Sequence, residues 1–357
     1  MTTVAVVGGG VIGLSIAWRA ARSGYVVTVH DPDPGSGASW VAGGMLAPLS
    51  EGWPGEGHVL ELGAASLQRW PEFAALLRSG TGIDLVTSTA SMTVALDAAD
   101  AADLRTVAEW VQAQGHEMRV LSRAEVRDLE PSLGPRIRLG LLASAELSVD
   151  NRALVVALRR AATDAGVRFS EAPVADLADL ADLAADRVVL AAGSASSRLW
   201  PGLPVRPVKG EILRLRMRPG ATPLPERTIR GNVHGRPAYL VPRRDGLVVG
   251  ATQYEAADTQ VTVAGVRDLI ADAEALLPAI GEYELHEASA GLRPMTPDNL
   301  PLIGRLSERV IAATGHGRNG VLLTPLTVDA VLAELSEDPL PEVKHASPQR
   351  FTEVVAQ

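Results

Sequence analysis

A chain of 357 residues with 46% hydrophobic residues and a mean hydropathy of +0.13 can bury a sizeable core and has room for two modules. The net charge of −9 gives no electrostatic case for nucleic acid or an anionic membrane, and no apolar run approaches the roughly 18 residues that span a bilayer. The absence of cysteine excludes disulfides, thiolate catalysis, cysteine metal sites and any cofactor tethered through sulfur.

Val4 to Val7 reads as a buried strand that starts too early for a signal peptide to precede it, so the cytoplasm is the expected compartment. Gly8-Gly9-Gly10-Val11-Ile12-Gly13 follows, then a helix from Leu14 to Ser23, the closing Gly24, and a second strand from Val26 to Val29 ending at Asp31. This is the G-x-G-x-x-G fingerprint in its required strand–loop–helix–strand setting. Gly8 permits the tight turn, Gly10 the close approach to a pyrophosphate, and Gly13 close helix packing. Val11 and Ile12 open the helix whose N-terminal dipole favours phosphate, and Asp31 is placed to accept from ribose hydroxyls. A second small-residue loop comes next, Gly35-Ser36-Gly37-Ala38-Ser39, running into Ala42-Gly43-Gly44-Met45-Leu46-Ala47-Pro48. A nicotinamide cofactor does not need it. A flavin does, because backbone must approach both its pyrophosphate and its ring.

His58 to Leu77 carries helical spacing, Asp84 to Leu96 alternates like a strand, and Ala101 to Gln114 and Ser122 to Leu129 read as helices. Arg152 to Ala165 is an amphipathic helix capped by Asn151 or Asp150, followed by a strand over Val167 to Val174. The Ala-Asp-Leu repeats of Ala175 to Asp186 fit neither helix nor strand and read as a solvated connector. Arg187 to Gly193 is a third parallel strand with a small-residue turn. Ile212 to Arg218 alternates apolar residues with arginines, a half-exposed strand whose Arg row reads as a solvated face. After the turn-rich Pro219 to Pro225, Ala238 to Val241 and Leu247 to Ala251 form a hairpin around Asp245-Gly246. Gly265 to Leu277 is a helix, Glu287 to Arg293 and Val310 to Thr314 are strands, and Leu323 to Leu335 is a closing helix. Nucleotide-type segments therefore sit at the start, middle and end, with an antiparallel sheet inserted between them.

Three features carry chemistry. Arg293 shares its strand face with the small residues Gly291 and Ser289, which leaves a hole for an anion beside a fixed cation, although an ordinary surface ion pair fits as well. Tyr239 lies on the hairpin and alone reads as core or rim. Gly315-His316-Gly317-Arg318-Asn319-Gly320 leads from a strand into Val321, Leu322 and a helix, which suits an electron-rich ring edge. His316 lacks an obvious carboxylate partner and is not assigned as a base. No metal-ligand spacing, nucleophile elbow, P-loop or paired-carboxylate signature is present.

Together, Ala38 to Pro48, Val208-Lys209-Gly210, Tyr239 to Arg243, Val248 to Thr252, Gly291-Leu292-Arg293-Pro294 and Gly315 to Gly320 resemble the glycine oxidases. These are the thiamine-pathway members of the D-amino acid oxidase superfamily, and the match runs in order from residue 3 to about 335. The resemblance implies noncovalent FAD and an α/β fold. Residues 1–50, 148–205 and 290–340 would form a Rossmann-like FAD domain, residues 51–147 and 206–289 an antiparallel substrate domain, and residues 341–357 a tail. It implies that Arg293 holds a substrate carboxylate with Tyr239 and Arg318 beside it. The FAD would meet Gly8, Gly10, Val11, Ile12, Gly13, Asp31, Ala38, Ser39, Gly43, Gly44, Met45, Val174, Gly193 and residues His316 to Leu322.

The implied reaction is hydride transfer from glycine, or from small amines such as sarcosine and D-alanine, to FAD, without a protein acid or base. Oxygen then yields hydrogen peroxide, and the imine gives glyoxylate and ammonia or passes to thiazole synthase. A homo-oligomer, a tetramer, is also implied. The chain departs from the family in four places. Asp31 stands where glutamate is commoner, Gly43-Gly44 replaces Ala-Gly and should loosen that loop, Glu211 stands where glutamine is frequent, and Arg236-Pro237-Ala238 matches poorly. Rival readings are another D-amino acid or sarcosine oxidase, a quinone-linked dehydrogenase, and a noncatalytic nucleotide-binding regulatory module.

Overall fold

The computed structural model describes residues 1–351. Six strands form one sheet in the order Leu302–Arg305, Val310–Thr314, Arg187–Leu190, Thr3–Val7, Val26–His30 and Arg168–Ser170. All neighbours are parallel except Leu302–Arg305, which pairs antiparallel with Val310–Thr314 and has no counterpart among the predicted strands. The central strands are mostly apolar because both faces are covered. Val4, Val6, Val27 and Val29 join one core cluster, with residues of helices Val11–Arg22, Asn151–Asp164 and Thr324–Leu335. Ala5, Val7, Val188 and Leu190 join another, with Leu180 and Leu199.

Nine strands form a second sheet in the order Glu284–Met295, Arg206–Arg216, Gly246–Gly250, Arg236–Arg243, Thr228–Val233, Val86–Ala95, Leu139–Val149 and Met45–Leu46, with Arg119–Ser122 also paired to Leu139–Val149. It is antiparallel apart from one parallel pair, Thr228–Val233 with Val86–Ala95, where two distant stretches of chain meet. Met45–Leu46 belongs to the second glycine loop, so that loop is hydrogen-bonded into this sheet.

Four sequence expectations are corrected. The 175–186 connector contains a helix, Leu177–Asp182, because Asp176 caps it by accepting from the N–H of Ala178 and Asp179, and Leu180 is buried. The strand expected over 167–174 shortens to Arg168–Ser170, an edge strand whose continuation meets Pro173. The helix expected from Ser122 begins at Arg123, with Ser122 and Glu125 forming a capping box after the strand Arg119–Ser122. The arginine row is not simply solvated. Arg214 donates to the carbonyl of Trp40 at 3.3 Å and to Asn151 Oδ1 at 3.1 Å, and burial beside Arg152 and Arg243 lowers its pKa to about 10. Of the two candidate caps for Asn151–Asp164, Asp150 serves, accepting from Arg152 and Ala153 N–H.

Candidate FAD and substrate site

A cavity of about 650 Å³ is lined from both sheets. All the expected cofactor residues except Gly13 and Leu322 line it, as do Arg293, Arg318 and Tyr239. Gly13 acts from behind. A Cβ there would meet the carbonyl oxygen of Gly8 at 1.9 Å, so its absence lets the first helix press against the turn. Leu322 is buried, and its carbonyl accepts from Ser66 Oγ and the Trp70 indole N–H. The helix proper starts only at Thr324, after a 3-10 turn over Gly317–Asn319.

The first loop is shaped for close approach. Gly8 has φ +107°, and a Cβ would lie 2.4 Å from the carbonyl oxygen of Ala191. The helix begins on Gly10, which supplies no side-chain cap, and no acid neutralises its first turn. Asp31 is held in place, its two oxygens accepting from Gly9 N at 2.6 Å and Asp33 N at 2.8 Å. Ser39 Oγ accepts from Val11 N at 3.0 Å, which clips the second loop to the first.

Asn151, treated in sequence only as a cap, is fully buried and donates through Nδ2 to the carbonyls of Ser39 and Trp40 at 2.8 and 2.9 Å. Arg243 donates to the Gly43 carbonyl at 2.8 Å, and Gly44 accepts from Val149 N at 2.8 Å. The Gly43-Gly44 loop is therefore pinned, not loosened. Gly43 is required by a neighbour, since a Cβ would lie 2.9 Å from Tyr239 Cε2. Gly250 clears the same ring, where a Cβ would come within 2.2 Å. Gly43→Ala is expected to displace the Tyr239 ring and raise the KM for an amino-acid substrate roughly threefold to tenfold with FAD retained. Steady-state kinetics beside the FAD content of the purified variant checks this.

The cavity's charges sort themselves. Arg293 Nη1 donates to the Thr252 carbonyl at 3.1 Å, and its guanidinium lies over Gly210, where a Cβ would meet it at 2.4 Å. Among the described residues no carboxylate forms an ion pair with it, which removes the surface-ion-pair reading. Arg318, expected beside the substrate, lines the cavity and is also paired with Glu51 at 3.2 Å and Glu56 at 3.6 Å. Glu51 is also paired with Arg230 at 3.1 Å. Sequence reasoning missed Glu51 and the fully buried Glu146, which accepts from Leu49 N, Ser50 N and Ser50 Oγ, each at 2.7 Å, and anchors the Glu51 turn. Neither glutamate sits in a motif, and nothing in the sequence pairs positions 97 and 96 residues apart.

Burial raises the Tyr239 phenol above its ordinary value, with Glu51 adding and Arg293 opposing. The phenol stays protonated at neutral pH and can donate. His316 is 3% exposed, with Nε2 2.9 Å from Thr327 Oγ1, and desolvation lowers its pKa to about 3. It stays neutral at physiological pH. Because its folded pKa lies below the ordinary 6.5, its stabilising contribution is complete above pH 6.5 and falls as pH drops toward 3. That loss is about 1.4 kcal/mol per pH unit. Urea unfolding at pH 7 and pH 5 is expected to show a shallower stability loss in His316→Gln than in the parent. Equal losses would contradict the burial argument.

The family model described as FAD dependent oxidoreductase matches residues 3–335. The chain belongs to that family. It is similar to the bifunctional protein ThiO/ThiG of Synechocystis sp., 36% identical over 98% of this chain and 54% of that protein. It is also similar to glycine oxidase of Geobacillus kaustophilus, 32% identical over 94% of this chain and 92% of that enzyme. The crystal structure of glycine oxidase from Geobacillus kaustophilus matches with a TM-score of 0.90 at 30% identity, covering 98% of this chain and 99% of that one. The chain spans about half the length of the bifunctional relatives it matches.

The site fits the family's FAD. Gly8 and Gly44 line the cavity and pack against the carbonyls of Ala191 and Val149 more closely than a Cβ would allow, the first helix carries no acid in its first turn, and Asp31 is oriented beside it. Among the described residues no cluster could hold a metal ion, and no helix is long and apolar enough to cross a membrane.

Proposed function

We propose that this FAD-dependent oxidoreductase oxidises glycine and similarly small amino acids to the imine, with oxygen as acceptor. The observation that carries the reading is Arg293, a cation in the cavity wall with its guanidinium seated over Gly210 and no acidic partner among the described residues. Such a group is best satisfied by one bidentate carboxylate. Bound FAD supplies the two-electron acceptor that takes the substrate's α-hydrogen as hydride.

The chain's own work is binding and orientation. Arg293 takes the carboxylate. Tyr239, kept protonated by burial, donates to the same carboxylate or its neighbour. Arg318 is held by Glu51 and Glu56, so it borders the substrate without adding a free positive charge. His316 does not serve as base, since its imidazole faces Thr327 and is protonated only well below neutrality, and the cavity carboxylate Glu51 is engaged by Arg230 and Arg318. The substrate must therefore arrive as the free amine, and turnover should rise with pH through the amine's own pKa.

The cofactor contacts follow the two loops. The pyrophosphate would rest on Gly10, Val11 and Ile12, Asp31 would accept from the ribose, Val174 would border the adenine, and Gly43 to Met45 with His316 to Val321 would border the ring. In this reading the imine hydrolyses to glyoxylate and ammonia or passes to thiazole synthesis. The second fate is supported by the similarity to bifunctional ThiO/ThiG proteins. Peroxide release in air from glycine, sarcosine, D-alanine and D-proline tests the reading. Glycine turnover with peroxide is expected. Turnover only with a quinone acceptor would favour a dehydrogenase, and preference for D-proline would move the chain to another branch of its family.

A further inference from the structure

The strand residues on either side of Gly210 are a lysine and a glutamate, and both are almost completely buried, at 3% and 0% exposure. Burying two charges is costly unless each is paired, so their partners matter. Apart from the contact of the two charges with each other, those partners lie on one segment, residues 252–262, which joins the strand Gly246–Gly250 to the helix Val263–Leu276. Lys209 Nζ bonds Asp258 at 2.8 Å and reaches Glu211 at 3.4 Å. Lys209 also exchanges two backbone hydrogen bonds with Tyr254, each 2.9 Å. Glu211 accepts from Thr262 N at 2.9 Å and Thr262 Oγ1 at 3.2 Å, and its own N–H donates to Thr252 Oγ1 at 2.9 Å. Gly265 makes room for it, since a Cβ there would overlap Glu211 Oε2 at 1.5 Å.

This segment touches the site twice. Thr259 lines the cavity, and the Thr252 carbonyl accepts from Arg293 Nη1. One three-residue stretch thus seats the Arg293 guanidinium over Gly210, holds Thr252 through the Glu211 main chain, and ties the rest of the 252–262 segment at Asp258 and Thr262 through its two flanking side chains. We propose that Lys209 and Glu211 are positioning residues that fix Arg293 for carboxylate binding by holding residues 252–262 against the cavity. The proposal rests on the reading of Arg293 as the carboxylate ligand.

Lys209→Met in the FAD-loaded enzyme tests it. The readouts are the Kd of glycolate, followed by perturbation of the flavin spectrum, and the KM and kcat for glycine. The Kd and KM are expected to rise about tenfold while kcat changes less than about threefold. Lys209→Arg, which keeps the charge, should recover most of the loss. A Lys209→Met enzyme with parental Kd and KM would overturn the proposal, even if its Tm had fallen, because a merely structural ion pair predicts that outcome. If Lys209→Met does not fold, Asp258→Ala and Glu211→Ala each remove one side-chain tether, and unchanged Kd and KM in both would overturn it equally. Failure of the parent enzyme itself to bind glycolate would sink the Arg293 reading instead.

Discussion

Arg293→Leu is expected to raise the glycine KM at least about thirtyfold while the protein remains yellow. Truncating one partner of a desolvated charge pair costs on the order of 2–5 kcal/mol. At about 1.4 kcal/mol per factor of ten, that is a loss between thirtyfold and several thousandfold. The loss falls on substrate binding because the guanidinium donates to the carbonyls of Thr252 and Lys209, not to the glycine loops proposed to hold FAD. Arg293→Lys should recover only part of it, since an ammonium cannot present the planar fork. Michaelis kinetics together with the flavin-to-protein ratio checks both halves. A glycine KM within threefold of the parent's would remove the carboxylate assignment.

Gly8→Ala is expected to strip the cofactor. The residue has φ +107°, and the new Cβ would stand 2.4 Å from the carbonyl oxygen of Ala191, a backbone atom just past the adjoining strand Arg187–Leu190. An L-residue in that region of backbone space costs roughly 1–2 kcal/mol before the clash is counted. The loop must move, and the first helix moves with it because Gly13 packs on Gly8. FAD affinity should fall by about two orders of magnitude or more, at about 1.4 kcal/mol per tenfold. Gly24→Ala is the matching control. Its φ is +91°, yet nothing lies within 4 Å of the added Cβ. It should lower stability without releasing FAD. Equal FAD retention by the two variants, measured after gel filtration, would contradict the cradle account.

The βαβ unit was legible because its signals are local. Four consecutive apolar residues, a glycine loop and a helical stripe specify it without reference to the rest of the chain. The distribution of nucleotide-type strands along the chain was legible for the same reason, and all of these strands join one sheet. The single parallel pair in the second sheet was not, since strand direction there depends on which distant segments meet. Nor was the antiparallel edge strand Leu302–Arg305, whose four residues are too few to set a period.

In the site, glycine spacing and Arg293 could be read from sequence, while the state of Arg318 could not. Its pairing with Glu51 and Glu56 is made by a turn some 260 residues away, held by the buried Glu146. Asn151 was visible as a helix-start residue, but its role in fixing the carbonyls of Ser39 and Trp40 emerges only from packing. Gly43 was misjudged for a related reason. A second glycine reads as flexibility until Tyr239 is seen to occupy the space its side chain would need.

The central claim is that one carboxylate held by Arg293 presents a small amine to bound FAD. Anaerobic mixing of the purified holoenzyme with glycine tests it most directly. The account predicts that the flavin absorbance bleaches in the parent enzyme and returns with peroxide on admitting air. It predicts much slower bleaching at the same glycine concentration in Arg293→Leu. A flavin that stays oxidised with glycine, sarcosine and D-alanine alike, or bleaches equally fast in both proteins, would contradict it.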